Sequence, residues 1–203
     1  MPPVLMALFI ACSPALHPDA RGGVVDDAKA KVGAPAPDFT LPDVSGGDFT
    51  LSQHQGEVVV LEWFNPDCPF VKYAHGKGPL KGLGTTWASK GVTWVAINSG
   101  SPGKQGTGKD RNIEARTEYG MAYPVLLDEP GAVGRDYGAV TTPQIYVVGK
   151  DGTLLYNGAL DDQPLGRGQG EPRVYANDVV TQVVETGVAP YGQRKPYGCS
   201  VKY

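Results

Sequence analysis

Apolar residues fall into short runs separated by glycine- and proline-rich breaks. Phe39-Thr40-Leu41 and Phe49-Thr50-Leu51 alternate apolar and polar positions on either side of Gly46-Gly47, which predicts a hairpin. Glu57 to Phe64 is a β-branched and aromatic run, as expected of a central strand covered on both faces. Asn65-Pro66-Asp67-Cys68-Pro69 breaks it. A helix is expected from Pro69, because proline's fixed φ and missing N–H suit the first helical position. Val92 to Asn98 predicts a second buried strand. Asn112 to Tyr119 predicts a short helix, Val125 to Asp128 a strand and Gly131 to Tyr137 another short helix. Ile145–Val148 and Leu154–Asn157 form a hairpin about Lys150-Asp151-Gly152. Val179, Val183 and Val184 share one face of a final helix over Val174–Glu185. Ser99–Asp110 and Ala159–Pro172 read as polar loops. Strands alternating with helices and ending in a hairpin and helix imply an α/β sandwich around a mixed sheet.

A chain of 203 residues suits one domain with modest additions and can bury a core without disulfide staples. Residues 1–30 read as leader and linker, 33–186 as the folded domain and 187–203 as an irregular tail. A net charge of −3 offers no basic surface for nucleic acid. No stretch is long enough to span a membrane as a mature helix. Val4–Ala11 has the length of a signal-peptide apolar segment, although no Lys or Arg precedes it. Cys12 after Ile10-Ala11 resembles a bacterial lipoprotein box. The expectation is a periplasmic or membrane-attached lipoprotein. The alternative is an unprocessed N-terminus on a cytoplasmic protein.

The cysteines are Cys12, Cys68 and Cys199. If Cys12 belongs to the leader, one pair remains, too few for a disulfide scaffold, so redox chemistry is the question. Cys68 stands where a buried strand gives way to a helix. Unpaired backbone N–H groups and the positive end of the helix dipole favour its thiolate, which is the nucleophile. Lys72, one turn on, adds to this, and Asp67 opposes it. His75 is on the same face but about 10 Å along the helix, which assigns it to surface or packing. His17 and His54 have no partner at ligand spacing, and Asp161-Asp162 reads as loop charge. The glycine-rich Ser99–Asp110 segment lacks the strand-to-helix pattern of a phosphate loop.

Five segments together resemble the thioredoxin superfamily, in its redoxin branch with the alkyl hydroperoxide reductase/thiol-specific antioxidant group. They are Trp63-Phe64-Asn65-Pro66-Asp67-Cys68-Pro69, Glu62 six residues before the cysteine, Thr141-Thr142-Pro143 leading into Gln144-Ile145-Tyr146-Val147-Val148, the hairpin Lys150 to Gly158, and Gly33 to Leu41. The resemblance covers roughly residues 33 to 186 and implies a thioredoxin-like three-layer sandwich with an N-terminal hairpin. It implies a catalytic Cys68, and a cis peptide before Pro143 that leaves the Thr142 backbone free to pair with an extended substrate. Thr142, Pro143, Trp63 and Pro69 would border that substrate. Glu62 would be a buried catalytic proton acceptor near Cys68, and its apolar neighbours favour this over a solvent-facing edge position. The chain also departs from the family. Val71 stands where dithiol members carry a second cysteine, and Asn65 and Leu61 stand where peroxiredoxins carry Thr or Ser and Pro. A lone sulfur needs a second thiol to turn over. Cys199 is the candidate, similar to the C-terminal resolving cysteine of some peroxiredoxins, and a static disulfide or a free thiol remain alternatives.

The leading expectation is a thiol-based oxidoreductase acting on protein disulfides, protein thiols or hydroperoxides, with an external thiol as reductant and no metal, flavin or nucleotide. A hydroperoxide reductase is the narrower rival. A thioredoxin-fold binding module of the cell envelope, without turnover, is the rival of another class.

Overall fold

The computed structural model describes residues 28–203. The expected leader, with Cys12 and His17, lies outside them apart from its last residues. Of these, Lys29 pairs with Asp136 at 3.0 Å and Ala30 donates its N–H to the Asp136 carbonyl.

Strands β1 (Thr40–Pro42) and β2 (Asp48–Thr50) form the expected N-terminal hairpin. The central sheet comprises β3 (Val59–Trp63), β4 (Thr93–Asn98), β5 (Val125–Leu127), β7 (Gln144–Val148) and β8 (Leu154–Gly158), in the order β5-β4-β3-β7-β8. β3, β4 and β5 run parallel, whereas β7 and β8 are antiparallel. The sheet is therefore mixed, as expected. A separate two-residue strand, β6 (Thr141–Thr142), precedes β7.

β3 is buried on both faces because both are covered. Val60 packs with Val71 and Ala74 of α1 (Pro69–Gly76) and with Ala176, Val179, Val180 and Val183 of α5 (Tyr175–Thr186). Leu61 and Trp63 face the other way, among Phe39, Leu41, Phe49 and Tyr137, the last from α4 (Ala132–Tyr137). Replacing a fully buried Leu61 or Trp63 by alanine costs about 3–5 kcal/mol in such a setting.

The helices depart from expectation in two places. Helix α2 (Leu83–Ala88) was not anticipated. It is short and threonine- and glycine-containing, and only Gly84 and Trp87 reach the core, too few to print a 3.6-residue period. Helix α3 (Lys109–Glu118) begins three residues before the expected Asn112, because Gly108 ends the loop and Lys109, Asp110 and Arg111 form an entirely polar first turn. The tail is not irregular throughout. Its β9 (Cys199–Ser200) pairs antiparallel with β6, with Thr142 opposite Cys199. Backbone pairing of this kind leaves no trace in side-chain pattern.

Candidate active site

Cys68 is the N-cap of α1, with Pro69 at the first helical position. Its carbonyl accepts the Lys72 N–H at 2.9 Å, and its sulfur points into the cleft between α1 and the β6–β7 junction. That sulfur is 3.1 Å from the Thr142 carbonyl oxygen and 2.6 Å from the Cys199 sulfur. The Thr142–Pro143 peptide is cis. Two sulfurs this close are nearer than non-bonded contact and short of the roughly 2.05 Å of a disulfide. They are within hydrogen-bonding distance.

The surroundings decide which sulfur ionises first. Burial works against ionisation of Cys68. Hydrogen bonding from the Cys199 thiol and from the backbone N–H groups of Val71 and Cys199 outweighs it and holds the Cys68 thiol below its ordinary pKa. The contact with Thr142 acts in the same direction. Cys199 is pushed up to about 11, first by burial and then by the neighbouring Cys68. Cys68 is thus the more acidic sulfur of the pair, the one that ionises first to give the nucleophilic thiolate.

Asp67, expected to oppose this thiolate, is neutralised. Arg111 reaches it at 2.9 Å and Lys72 at 3.5 Å. Burial favours protonating Asp67, but Arg111 followed by Lys72 holds its carboxyl below the usual range. Lys72 therefore spends its charge on Asp67. Arg111 falls between the expected loop and the expected helix, 44 residues away in sequence, and its acidic partner could not be read from spacing.

The turn before Cys68 is held by that same loop. Asn65 accepts the Asp67 N–H and donates to the Gln105 carbonyl, both at 2.9 Å, and Gln105 donates to the Asp67 carbonyl at 3.2 Å. Asn98 and Asn112 both donate to the Gly106 carbonyl. Gly106 itself has φ +74°, and a side chain there would strike the Asn65 amide. The glycine-rich segment is a brace for the active-site turn.

Glu62 is fully buried. Its carboxylate meets His75 Nε2 at 2.7 Å and accepts from Trp94 Nε1 at 3.1 Å and the Tyr123 hydroxyl at 3.3 Å. Among the described residues none of its hydrogen bonds runs to Cys68. His75 is buried as well, stacked on Tyr119 at 5.1 Å. It is a partner of Glu62, which the sequence reading missed because the thirteen-residue separation crosses from strand to helix. Asp161, read as loop charge, is buried and accepts the Tyr197 hydroxyl at 2.6 Å.

Of the residues expected to border substrate, Thr142 and Pro143 are beside Cys68 but buried, and Pro69 is exposed at the helix start. Trp63 does not belong with them. It faces the opposite side of the sheet, is fully buried, and donates its indole N–H to Ser99 at 3.0 Å. Alternation along β3 turns Trp63 away from the face that carries Cys68. No helix among the described residues is long and apolar enough to cross a membrane.

Known proteins share this architecture. The thiol-disulfide oxidoreductase ResA of Geobacillus thermodenitrificans is 28% identical over 125 residues, 61% of this chain and 66% of the relative, just under two thirds of its length. The crystal structure of an uncharacterized conserved protein from Geobacillus kaustophilus superposes with a TM-score of 0.75 at 29% identity, covering 85% of this chain and 92% of its own. The thioredoxin domain of a thiol-disulfide oxidoreductase from Bacteroides vulgatus matches with a TM-score of 0.50 over 63% of this chain and 87% of its own, and at 18% identity that likeness is one of fold. The sequence model of the AhpC/TSA family matches residues 32–157, and the chain, with its thioredoxin-like fold, belongs to that family.

Proposed function

We propose that this protein is a thiol-based oxidoreductase in which Cys68 is the nucleophile and Cys199 the resolving thiol. The observation that carries this is the 2.6 Å approach of the two sulfurs at the N-terminus of α1. The Cys68 thiolate attacks a sulfur of a substrate disulfide, and the second substrate sulfur leaves as thiolate, taking up the Cys199 proton. The Cys199 sulfur then attacks Cys68 in the mixed disulfide and expels the first substrate sulfur. The substrate gains two electrons, and Cys68 and Cys199 become a disulfide. The relatives named thiol-disulfide oxidoreductase support protein thiols and disulfides as the substrate class. With a hydroperoxide the same pair would pass through a Cys68 sulfenic acid, condensing with Cys199 to release water. Asn65 and Leu61, in place of the expected Thr or Ser and Pro, argue against fast peroxide chemistry. An exported or membrane-attached location rests on Val4–Ala11 and Cys12.

Reduction of insulin disulfides and consumption of hydrogen peroxide, measured side by side, test this function. Disulfide turnover should dominate, disappear in Cys68→Ser, and stop after one turnover in Cys199→Ser. Unchanged turnover in Cys199→Ser removes the resolving role. Silence of the wild type in both assays favours the binding-module alternative.

A further inference from the structure

The strand that carries Cys199 does more than deliver a sulfur. β9 occupies the β6 backbone edge beside Cys68. Gly198, at φ +137°, lets the tail lie directly against the Thr142 carbonyl, where any side chain would clash. The tail is fastened on both sides of Cys199. Upstream, the Tyr197 hydroxyl donates to buried Asp161 at 2.6 Å. Downstream, Val201 N–H donates to the Val140 carbonyl at 3.1 Å and Ser101 N–H to the Lys202 carbonyl at 2.7 Å. Tyr203 then donates to the Ala139 carbonyl at 2.7 Å, with the Arg135 guanidinium 4.6 Å from its ring centroid. Beneath this strap Cys68 is 0% exposed and Thr142 2%, whereas Cys199 remains partly exposed.

These contacts are non-covalent while both thiols are reduced, so the strap can lift and admit a substrate to Cys68. A Cys68–Cys199 bond ties it to the start of α1 at one point, and the fastenings on either side then keep it over Cys68. We propose, resting on the pairing above, that the oxidised protein is regenerated by an external thiol that attacks Cys199, with Cys68 as the departing sulfur. The incoming thiolate bonds to the Cys199 sulfur, the Cys68–Cys199 bond breaks, and its electron pair stays on Cys68. A second external thiolate then attacks the external sulfur of the mixed disulfide, releasing an external disulfide and Cys199, which takes a proton from water. Two external thiols are oxidised and one protein disulfide is reduced. Exchange requires access to the attacked sulfur, and Cys68 has none beneath the strap. The departing sulfur is received by the N-terminus of α1, which favours its negative charge. Substrate and reductant thus meet different sulfurs of the same pair.

Glutathione is a suitable probe. The oxidised chain, its Cys68–Cys199 disulfide verified by non-reducing peptide mapping, is mixed with glutathione, quenched in acid within milliseconds to seconds, alkylated and mapped. The first adduct should sit on Cys199 in at least about tenfold excess over Cys68, with Cys68 recovered free. In Tyr203→Ala, which loses one fastening, the share of adduct on Cys68 should rise severalfold. Adducts on Cys68 in equal or greater amount, from verified disulfide, overturn the proposal and leave the pairing intact. An unchanged distribution in Tyr203→Ala overturns shielding by the strap. If no Cys68–Cys199 disulfide forms, the pairing and this proposal fall together.

Discussion

At the scale of single residues, the site sets two neighbouring sulfurs apart in acidity and satisfies one buried acid. Cys68 is held below the ordinary thiol pKa and Cys199 is pushed up to about 11. In a Cys12→Ser background, thiolate absorbance near 240 nm should therefore rise in two steps, the first below the free-thiol range and the second near 11. Exchange rate should climb with pH through the first step, because only the thiolate attacks. Cys199→Ala removes the S–H donor and should move the first step up. A single step at the free-thiol value sinks this ordering of the two thiols. Glu62 poses a different test. It is the common acceptor for His75, Trp94 and Tyr123, so Glu62→Leu strands three buried polar groups and should cost about 3–5 kcal/mol in urea denaturation. Glu62→Gln keeps the shape and should cost less. A loss under about 1 kcal/mol in Glu62→Leu means the network holds little.

At the scale of elements, the active site is a strand end, a helix start, a loop and a tail brought to one place. The first two are legible in the chain. β-branched residues before Asn65 and a proline after Cys68 place the cysteine at an N-cap, where it is found. Runs of Val, Ile and Trp locate the central strands, because both faces of the sheet are covered and periodicity gives way to continuous hydrophobicity. The brace and the strap are not legible, for a physical reason. Gly106, and Gln105 in part, act through backbone carbonyls, and β9 through a two-residue ladder. Backbone groups are the same in every residue, so no side-chain pattern announces them. The Glu62–His75 and Asp67–Arg111 pairs are invisible likewise, since each joins residues from different elements. Gly106 alone leaves a hint, as one glycine among several. Gly106→Ala should cost about 1–2 kcal/mol from the left-handed backbone alone, and more from the collision with Asn65. Its exchange rate should fall with the stability, because the turn that presents Cys68 loses its brace. Wild-type stability and rate in Gly106→Ala would show that the loop does not support the turn.

At the scale of the whole molecule, oxidation of the pair would tie the C-terminus to the start of α1 across 131 residues of chain. Such a bond acts mainly on the unfolded ensemble, by denying it the conformations in which those points are far apart. In the chain-entropy model a loop of this length yields up to about 5 kcal/mol. The native state needs little rearrangement to accept it, since Tyr197 and Tyr203 already hold the strap in place on either side. For a protein of this size each kcal/mol is worth about 2–4 °C. The oxidised form should therefore melt on the order of 10 °C above the reduced form, and the difference should vanish in Cys199→Ser. Two controls separate this from general effects of redox reagents. Reduced wild type and Cys199→Ser should melt within a few degrees of each other, and Tyr203→Ala should lower the reduced melting point more than the oxidised one, where the bond replaces the lost fastening. Calorimetry on wild type, Cys199→Ser and Tyr203→Ala, each under oxidising and reducing conditions, with thiol counts before and after each scan, decides the matter. Equal melting temperatures for oxidised and reduced wild type, with the disulfide verified, would mean that the closed strap is strained by about as much as the cross-link stabilises. A protein so balanced would cycle between its two redox states without a stability cost in either, whereas the geometry described above predicts a clear preference for the oxidised fold.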